Sequence, residues 1–458
     1  MFNHKPKRVE MLKQKFEKSI GLPFRDVLSE QTIVEVLEEA KFKYRESIYA
    51  PVVVIWAFLS QVLATDKSCQ NVVSRIVAWC AGGGVKMPST DTGGYTKARQ
   101  RLPETVMKQL LDKTGHELES KVPESNLWCG RHVKILDGTT VTMADTEANQ
   151  AEYPQHGNQA VGCGFPLTKL VVMFSLLTGA VIAVMVKPFR CSETEMARQM
   201  YNELEALDVA LTDRLYGTYV DLVMVQSKGA DAVFRMHQKR STDFRKGKRL
   251  GRADHLVTWY KPKCCPKHMS KSEFAQLPDT VTVREVRYQI TTAGFRTREV
   301  VLVTTLLDAK TFTKAKLAEL YKLRWQAEVD LKHIKTTLAM EHLRSRTPAM
   351  VRKEIYAHLM AYNLLRSLMW EAGTSEGIHP LRLSLQTSHQ HFHHFMAELL
   401  GAKPSKHHRV YEILLMILIQ QTLPIRPDRF EPRVVKRRPK PFPRMKEPRS
   451  SLKSKLVA

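Results

Sequence analysis

Apolar positions along the chain recur in two rhythms, and the change between them divides it. Up to about residue 126 the spacing is helical. Asp26–Lys43 carries apolar residues at three- and four-residue intervals and predicts one amphipathic helix. Tyr49–Ala64 is almost wholly apolar and predicts a buried helix opening near Pro51. Ser68–Cys80 predicts a third helix, Gly82-Gly83-Gly84 a break, and Pro103–Leu118 a further helix.

From His132 the period shortens to two. Val133–Asp137 (V-K-I-L-D) predicts a short strand ending on a carboxylate, and Thr139–Met143 a second extended piece. Leu167–Leu177 and Ala180–Lys187 predict two buried strands joined at Thr178-Gly179. Ser192 as N-cap, with Glu195 three residues on, predicts a helix to about Leu207. Val209–Asp213 is the next strand, again ending on a carboxylate, followed by a helix over Tyr219–Ser227 and a strand over Ala232–Met236. Strands alternating with helices after a hairpin-like start indicate a mixed α/β sheet.

Residues 237–299 break this order. A basic loop is followed by β-rich runs at His255–Tyr260, Val281–Ile290 and Arg296–Val303, which predict a β subdomain inserted into the α/β domain. Val300–Thr305 returns to the parent sheet. Phe312–Met340 is expected to be one long helix and Ala349–Trp370 another. The expected layout is a helical N-terminal domain (1–126), the first part of the α/β domain (127–237), the β insertion (238–299), its second part (300–372), a C-terminal helical region (373–422) and a tail (423–458). The tail holds twelve Lys or Arg, three Asp or Glu and seven Pro, and is expected to be disordered.

Composition narrows the class. Hydrophobic content of 43% and charged content of 26% suit a globular protein. The formal net charge of +25, from 71 Lys plus Arg against 46 Asp plus Glu, speaks of partners rather than fold. Nucleic acid leads, because phosphate contacts release counterions, and an anionic membrane surface competes. The most apolar run, Leu170–Val186, contains Ser175, Thr178 and Gly179 and is rich in β-branched residues, so paired strands explain it better than a membrane span. No secretory signal is visible, and the seven scattered cysteines include no CxxC pair; both point to a reducing cytoplasm. Cys264-Cys265 with His268 lacks a second ligand pair at zinc spacing.

The candidate chemistry lies in carboxylates and cations. On a regular helix Tyr321, Arg324, Glu328, Lys332 and Lys335 share one face. Such a stripe is either a solvated face with ordinary ion-pair spacing or a carboxylate set among phosphate-binding groups. Asp137 and Asp213 at strand ends, with Glu328 on a helix, can converge at one sheet edge. Three converging carboxylates suit hard divalent ions, Mg²⁺ or Mn²⁺, and a pair of such ions can serve phosphoryl transfer. Asp145, Asp208 and Asp330 compete for these places. Lys97, Arg99 and Arg101 in the T-K-A-R-Q-R run could meet phosphates or simply face solvent.

These residues, in this order, resemble the bacterial insertion-sequence transposases with a DDE triad, in the branch marked by a Tyr-x2-Arg-x3-Glu-x6-Lys signature. Tyr321, Arg324, Glu328 and Lys335 match that spacing. Leu136–Thr140 resembles the segment holding the first aspartate, and Leu211–Arg214 with Tyr219 the second. The resemblance spans about residues 90–370. It implies a ribonuclease-H-like mixed sheet flanked by helices, with Asp137, Asp213 and Glu328 as catalytic metal ligands for two Mg²⁺ or Mn²⁺ ions. It also implies binding of the element's terminal inverted repeats, excision through a hairpin intermediate, and joining of the 3′ ends to target DNA. Tyr321, Arg324, Lys335 and, by the stripe, Lys332 would grip phosphates near the cut. Arg214 would lie beside the second aspartate. Trp259 is the candidate for stacking on a flipped base, with packing in a small β core as its alternative. Trp325 is expected in the core. The expected partner is double-stranded DNA bound by a homodimer in the nucleoid, with no membrane. A ribonuclease-H-like nuclease, a non-catalytic DNA-binding protein and an inactive relative are the alternatives.

Overall fold

The helix Pro348–Ser375 is buried on almost every face, from Met350 through Ile355, Leu359, Tyr362 and Leu365 to Trp370. A helix that is apolar all round has to lie inside a core. The computed structural model describes residues 4–290, 299–424 and 443–457 and divides into two units. The first comprises the chain to Val122, Leu177–Ile182 and Asp330–Leu423, with this helix at its centre. The second comprises Pro123–Leu176, Ala183–Val329 and Pro424–Ala458. Residues 330–423 thus join the N-terminal helices, a grouping that differs from the serial layout expected of the sequence.

In the helical unit, apolar spacing produced helices where expected. Glu30–Glu39 is capped by the Ser29 hydroxyl, Pro51–Leu63 is wholly buried, and Cys69–Gly82 is capped by Ser68. Further helices span Gly93–Arg101, Glu104–Ser120, Leu385–Gly401 and Pro404–Ile419. Polar anchors tie the central helix down. Lys353 donates to the carbonyls of Arg99, Gln100 and Leu102, at 3.3, 2.9 and 2.7 Å. Those carbonyls end the Gly93–Arg101 helix, where a cation meets the negative end of the dipole. Asn363 accepts the Val181 N–H at 2.7 Å and donates to the Val181 carbonyl at 2.9 Å, pairing with backbone as a strand would. Asp330 pairs with Arg366, both fully enclosed.

The second unit is a mixed sheet. Its strands are β1 (Val133–Met143), β2 (Leu167–Ser175), β3 (Val181–Pro188), β4 (Val209–Thr212), β5 (Asp231–Arg235), β6 (Lys248–Gly251), β7 (Asp254–Tyr260), β8 (Thr280–Gln289) and β9 (Glu299–Thr304). They lie in the order β3-β2-β1-β4-β5-β9-β8-β7-β6. β2 runs antiparallel to β1, whereas β4 and β5 run parallel to it and are reached through the helices Glu193–Met200 and Tyr219–Gln226. This order of the first five strands is the ribonuclease-H-like arrangement.

Several expectations need correction. β1 is one continuous strand, because β2 stays paired with it as far as Thr142. The β insertion is no separate body: β9 pairs with both β5 and β8, so the inserted strands continue the parent sheet. The long helix expected over Phe312–Met340 is three pieces: Lys314–Leu323, Trp325–Lys332 and a π-helical turn at His333–Thr337. Ser192 stands at its N-cap position, but its hydroxyl pairs with Thr194. In the tail, Arg449–Val457 is helical; residues 425–442 lie outside the described residues. Leu170–Val186 forms β2, a turn and most of β3, and among the described residues no helix is long and apolar enough to cross a membrane.

Candidate active site

Sheet register brings the two aspartates together. In the parallel pair β1–β4, Ile135 is the partner of Leu211. Two residues further along each chain stand Asp137 and Asp213, so the side-chain alternation that aligns the first pair carries both carboxylates to neighbouring positions. Asp137 is in mid-strand, but it lies just past the end of the parallel pairing, because β4 is only four residues long. It is the end of that pairing, rather than of β1, that opens space for a site.

The third carboxylate arrives on the helix Trp325–Lys332. Arg324, at the break before it, donates from Nη2 to Glu328 Oε1 at 2.7 Å, and its Nη1 stands 3.8 Å from Asp137 Oδ2. One guanidinium therefore links the first and third carboxylates. Burial pushes the Asp137 carboxyl up to about 6; the Gly138 N–H and Arg324 pull it down, while Glu328 and Asp213 add to the rise. Glu328 and Asp213 thus each sit within electrostatic reach of Asp137. Asp213 Oδ1 accepts the Leu215 N–H at 2.7 Å. Tyr321 is pushed up to about 12 by burial, with Arg324 and Arg235 opposing and Asp213 reinforcing the shift. At neutral pH it is a phenol, able to donate one hydrogen bond to a phosphate oxygen.

Sequence reasoning missed a fourth carboxylate. Glu193, in the first turn of its helix, accepts the Tyr216 hydroxyl at 2.7 Å, and a Cβ at position 138 would lie 2.6 Å from its Cδ. Glycine at 138 is what lets this carboxylate approach β1 so closely. A glutamate in a first helical turn reads in sequence as a partner of the helix dipole, so nothing distinguished it. Arg235, on β5, was missed as well; it acts on Tyr321.

The donor set suits a hard divalent cation. It is three oxygen acids, one of them raised by burial and by the other two, so added positive charge would be favoured there. Among the described residues no group of three or more His, Cys, Asp or Glu already stands at metal-holding distance. Arg324 is the positive charge that the structure sets between Asp137 and Glu328.

The competing aspartates are structural. Asp208 is buried, takes the Glu205 N–H at 2.8 Å and lies 3.6 Å from Lys134 Nζ. Asp330 is paired with Arg366, and Asp145 is exposed and accepts from Gln150 at 2.8 Å. Among the expected DNA contacts, Arg214, Lys97, Arg101 and Lys332 are exposed and Lys335 is half-buried. Lys335 sits in the π-helical turn, where the 3.6-residue period that placed it on the stripe no longer holds. Arg99 corrects the sequence reading: it is buried, donates to Gln61 Oε1 at 3.3 Å and Cys69 Sγ at 3.0 Å, and stacks over Phe58 and Tyr95. Trp259 corrects it too. Its ring is 2% exposed, its N–H donates to Glu285 at 2.8 Å, and Arg240 covers one face at 3.6 Å. That is the small β core named as its alternative. Trp325, expected in the core, is 51% exposed. His268 pairs with Glu195 at 3.2 Å, which accounts for it without a metal.

Comparison with known proteins decides the family. The model of the transposase DDE domain matches residues 128–364, more than half of the chain, and that of the insertion element 4 transposase N-terminal region matches residues 20–112. The chain belongs to the family of transposases with a DDE domain. It is 26% identical over 392 residues to the transposase InsG of insertion sequence element IS4 from Escherichia coli K12, covering 85% of this chain and 86% of that one. The transposase of insertion sequence element IS421 from Escherichia coli is 32% identical over 69 residues, covering 15% of this chain and 19% of the other. Among solved structures, a cryo-EM structure of a piggyBac transposase synaptic complex with hairpin DNA gives a TM-score of 0.43 at 11% identity, covering 88% of this chain and 85% of that one. The protein is thus a transposase, with the nuclease and transferase activity its DDE domain implies and DNA as its partner.

Proposed function

We propose that this transposase binds the terminal inverted repeats of its insertion sequence, excises the element through a hairpin intermediate and joins the 3′ ends to target DNA. The observation that carries the reading is the meeting of Asp137, Asp213 and Glu328 at the end of the β1–β4 parallel pairing, with Arg324 linking two of them. These three carboxylates would hold divalent ions, Mg²⁺ or Mn²⁺, whose chemistry is to polarise the scissile phosphate and to favour deprotonation of the attacking oxygen.

The protein's own residues do the rest. The carboxylates fix the site to a rigid sheet edge and one helix. Tyr321 donates its phenolic hydrogen to a non-bridging oxygen, Arg324 offers a planar fork to the same phosphate, and Lys335 and Lys332 add point charges further along the strand. Water first attacks the phosphodiester at the element's end, leaving a 3′-OH. That hydroxyl attacks the opposite strand, a bond forming as another breaks, and a hairpin results. A second hydrolysis restores the 3′-OH, which attacks target DNA. Two protomers acting on two ends would make the working form a homodimer on DNA, in the cytoplasm where the bacterial nucleoid lies.

The test is a denaturing gel of an end-bearing duplex incubated with protein and Mg²⁺. Nicks and hairpins are expected from the unaltered protein, with losses of at least about a thousandfold in Asp137→Ala, Asp213→Ala and Glu328→Ala. Cleavage that survives all three substitutions refutes the assignment. Binding without cleavage by the unaltered, folded protein would make it an inactive relative, and nicks without hairpins a simple nuclease.

A further inference from the structure

We propose that the tip of the β1–β2 hairpin is an apolar wedge, Phe165 with Val161, that enters a base step of the DNA held at the carboxylates. The inference takes its position from the active-site reading, and adds a contact that none of the candidate DNA-binding residues supplies.

The sheet sets that position. β4 ends at Thr212, so its parallel pairing with β1 stops just short of the two aspartates. β1 does not stop there. It runs six residues past Asp137 to Met143, and β2 stays paired with it as far as Thr142. At about 3.3 Å per residue, the hairpin stands about 20 Å beyond the site, on the side where the pairing opens. That is the length of about six base-pair steps. A duplex with its scissile phosphate at Asp137 and Asp213 lies alongside this wall.

Residues 144–166, which close the hairpin, are cross-braced. Tyr153 and Asn149 are buried; Asn149 donates to the Ala144 carbonyl at 2.9 Å, and the Tyr153 carbonyl accepts the Leu167 N–H at 3.1 Å. One side chain then holds the tip. Gln155 Nε2 donates to the carbonyls of Gln159 and Ala160 at 3.0 and 2.8 Å, and its Oε1 accepts the N–H groups of Gly162 and Gly164, both at 3.1 Å. Gln150 donates to the Gly164 carbonyl at 3.0 Å. Position 164 has no room for a side chain, because a Cβ there would lie 2.0 Å from Gln159 Oε1.

What this frame presents is apolar. Val161 is 85% exposed and Phe165 65%, on either side of the braced glycines. Single apolar side chains on a surface are ordinary. A pair fixed on one tip, with no Asp, Glu, Lys or Arg from Tyr153 to Pro166, is a different case. Apolar side chains that enter a base step partly unstack it and bend the duplex, and a preformed loop loses little freedom in doing so. The flanks favour DNA as the occupant. Lys169 and Lys187 stand on β2 and β3 at the shoulders of the hairpin. Pro448, just before the basic helix Arg449–Val457, packs at Gly162, where an added Cβ would lie 3.2 Å from the proline Cβ. The loop's acids, Asp145, Glu147 and Glu152, all fall in its first nine residues.

The test is the fluorescence of 2-aminopurine, placed at one position at a time in an end-bearing duplex with flanking DNA, since an unstacked 2-aminopurine brightens. With the unaltered protein, a position within about six base pairs of the cut should brighten severalfold on binding. Phe165→Ala should lose most of that rise, and adding Val161→Ala the remainder, with the salt dependence of binding unchanged because no phosphate contact is removed. Phe165→Leu, which keeps an apolar wedge, should recover most of it. Phe165 is exposed, so the thermal midpoint of these variants should stay with that of the parent. Gln155→Ala leaves both apolar side chains in place, yet should weaken the rise by releasing the brace. Asp137→Asn, inactive for cleavage, should show the full rise, so failure of the wedge and failure of the catalytic reading give different patterns. Binding by the unaltered protein with no brightening at any position would overturn the proposal, as would a rise that persists in the double variant. So would a change of oligomeric state in Phe165→Ala, seen by sedimentation without DNA, with fluorescence like the parent's, which would give the tip to another copy of the chain.

Discussion

Replacing Asp137 with asparagine should make the transposase inactive and, at neutral pH, more stable. An aspartate normally titrates near 3.8; burial, with Glu328 and Asp213 adding to it, moves this one to about 6 in the folded protein. A shift of about two units corresponds to about 3 kcal/mol. The side chain is 23% exposed, so solvent screens part of that cost and the expected gain is about 1–3 kcal/mol. The direction follows from proton binding. Between the two titration points the folded protein holds more protons at this site than the unfolded chain, so the site's contribution is full at low pH and is lost as pH rises through about 6. Asparagine cannot ionise and removes that loss. The assay is urea unfolding of both proteins in chelator, from about pH 4 to about pH 8, where the gap should open with rising pH and level off above about 6.5. Added Mg²⁺ should stabilise the unaltered protein and leave the variant nearly unmoved. A variant no more stable than the parent near neutrality, or a gap that ignores pH, would refute the claim that these carboxylates crowd one another.

Gly138→Ala should cost about 1–3 kcal/mol and most of the cleavage activity, since its Cβ would lie 2.6 Å from the Glu193 carboxylate. Adding Glu193→Ala should restore the thermal midpoint; a neutral Gly138→Ala would show that Glu193 does not stand there. Asp330→Ala should lose about 3–5 kcal/mol in urea unfolding by leaving buried Arg366 without its carboxylate. Glu328→Gln should stay within about 1 kcal/mol of the parent yet be inactive on the gel, and the opposite pattern would exchange the roles of the two acids.

The three candidate carboxylates were legible because their signals are local. A carboxylate closing an apolar run can be seen without knowing the fold, and strand register then does the rest. What escaped depends on partners remote in sequence. Arg99 sits in a basic run, and only Gln61, Cys69 and two aromatic rings make it a core residue. Trp259 looks like an exposed aromatic in a basic strand until Glu285 and Arg240 are placed around it. Trp325 was misjudged because a tryptophan off the polar stripe reads as core, yet it stands at the first residue after the helix break, half exposed. The two-unit division was hidden for a related reason: the boundary between Val329 and Asp330 falls inside a helix, where neither composition nor hydropathy changes.

The continuity of β5, β9 and β8 bears on how this protein avoids sticking to itself. Without the inserted strands, β9 would be an outer strand, offering Val300, Val301, Leu302 and Val303 and a row of unpaired amide groups to any passing chain. With them, the free rim moves out to β6, which is four residues long, begins Lys248-Arg249 and has an irregular register before Gly251. Short, charged and kinked edges are poor templates for another strand. At the opposite rim β3 closes on Lys187-Pro188, and proline offers no amide hydrogen to extend a ladder. Both margins of the sheet are thus closed to edge-to-edge aggregation.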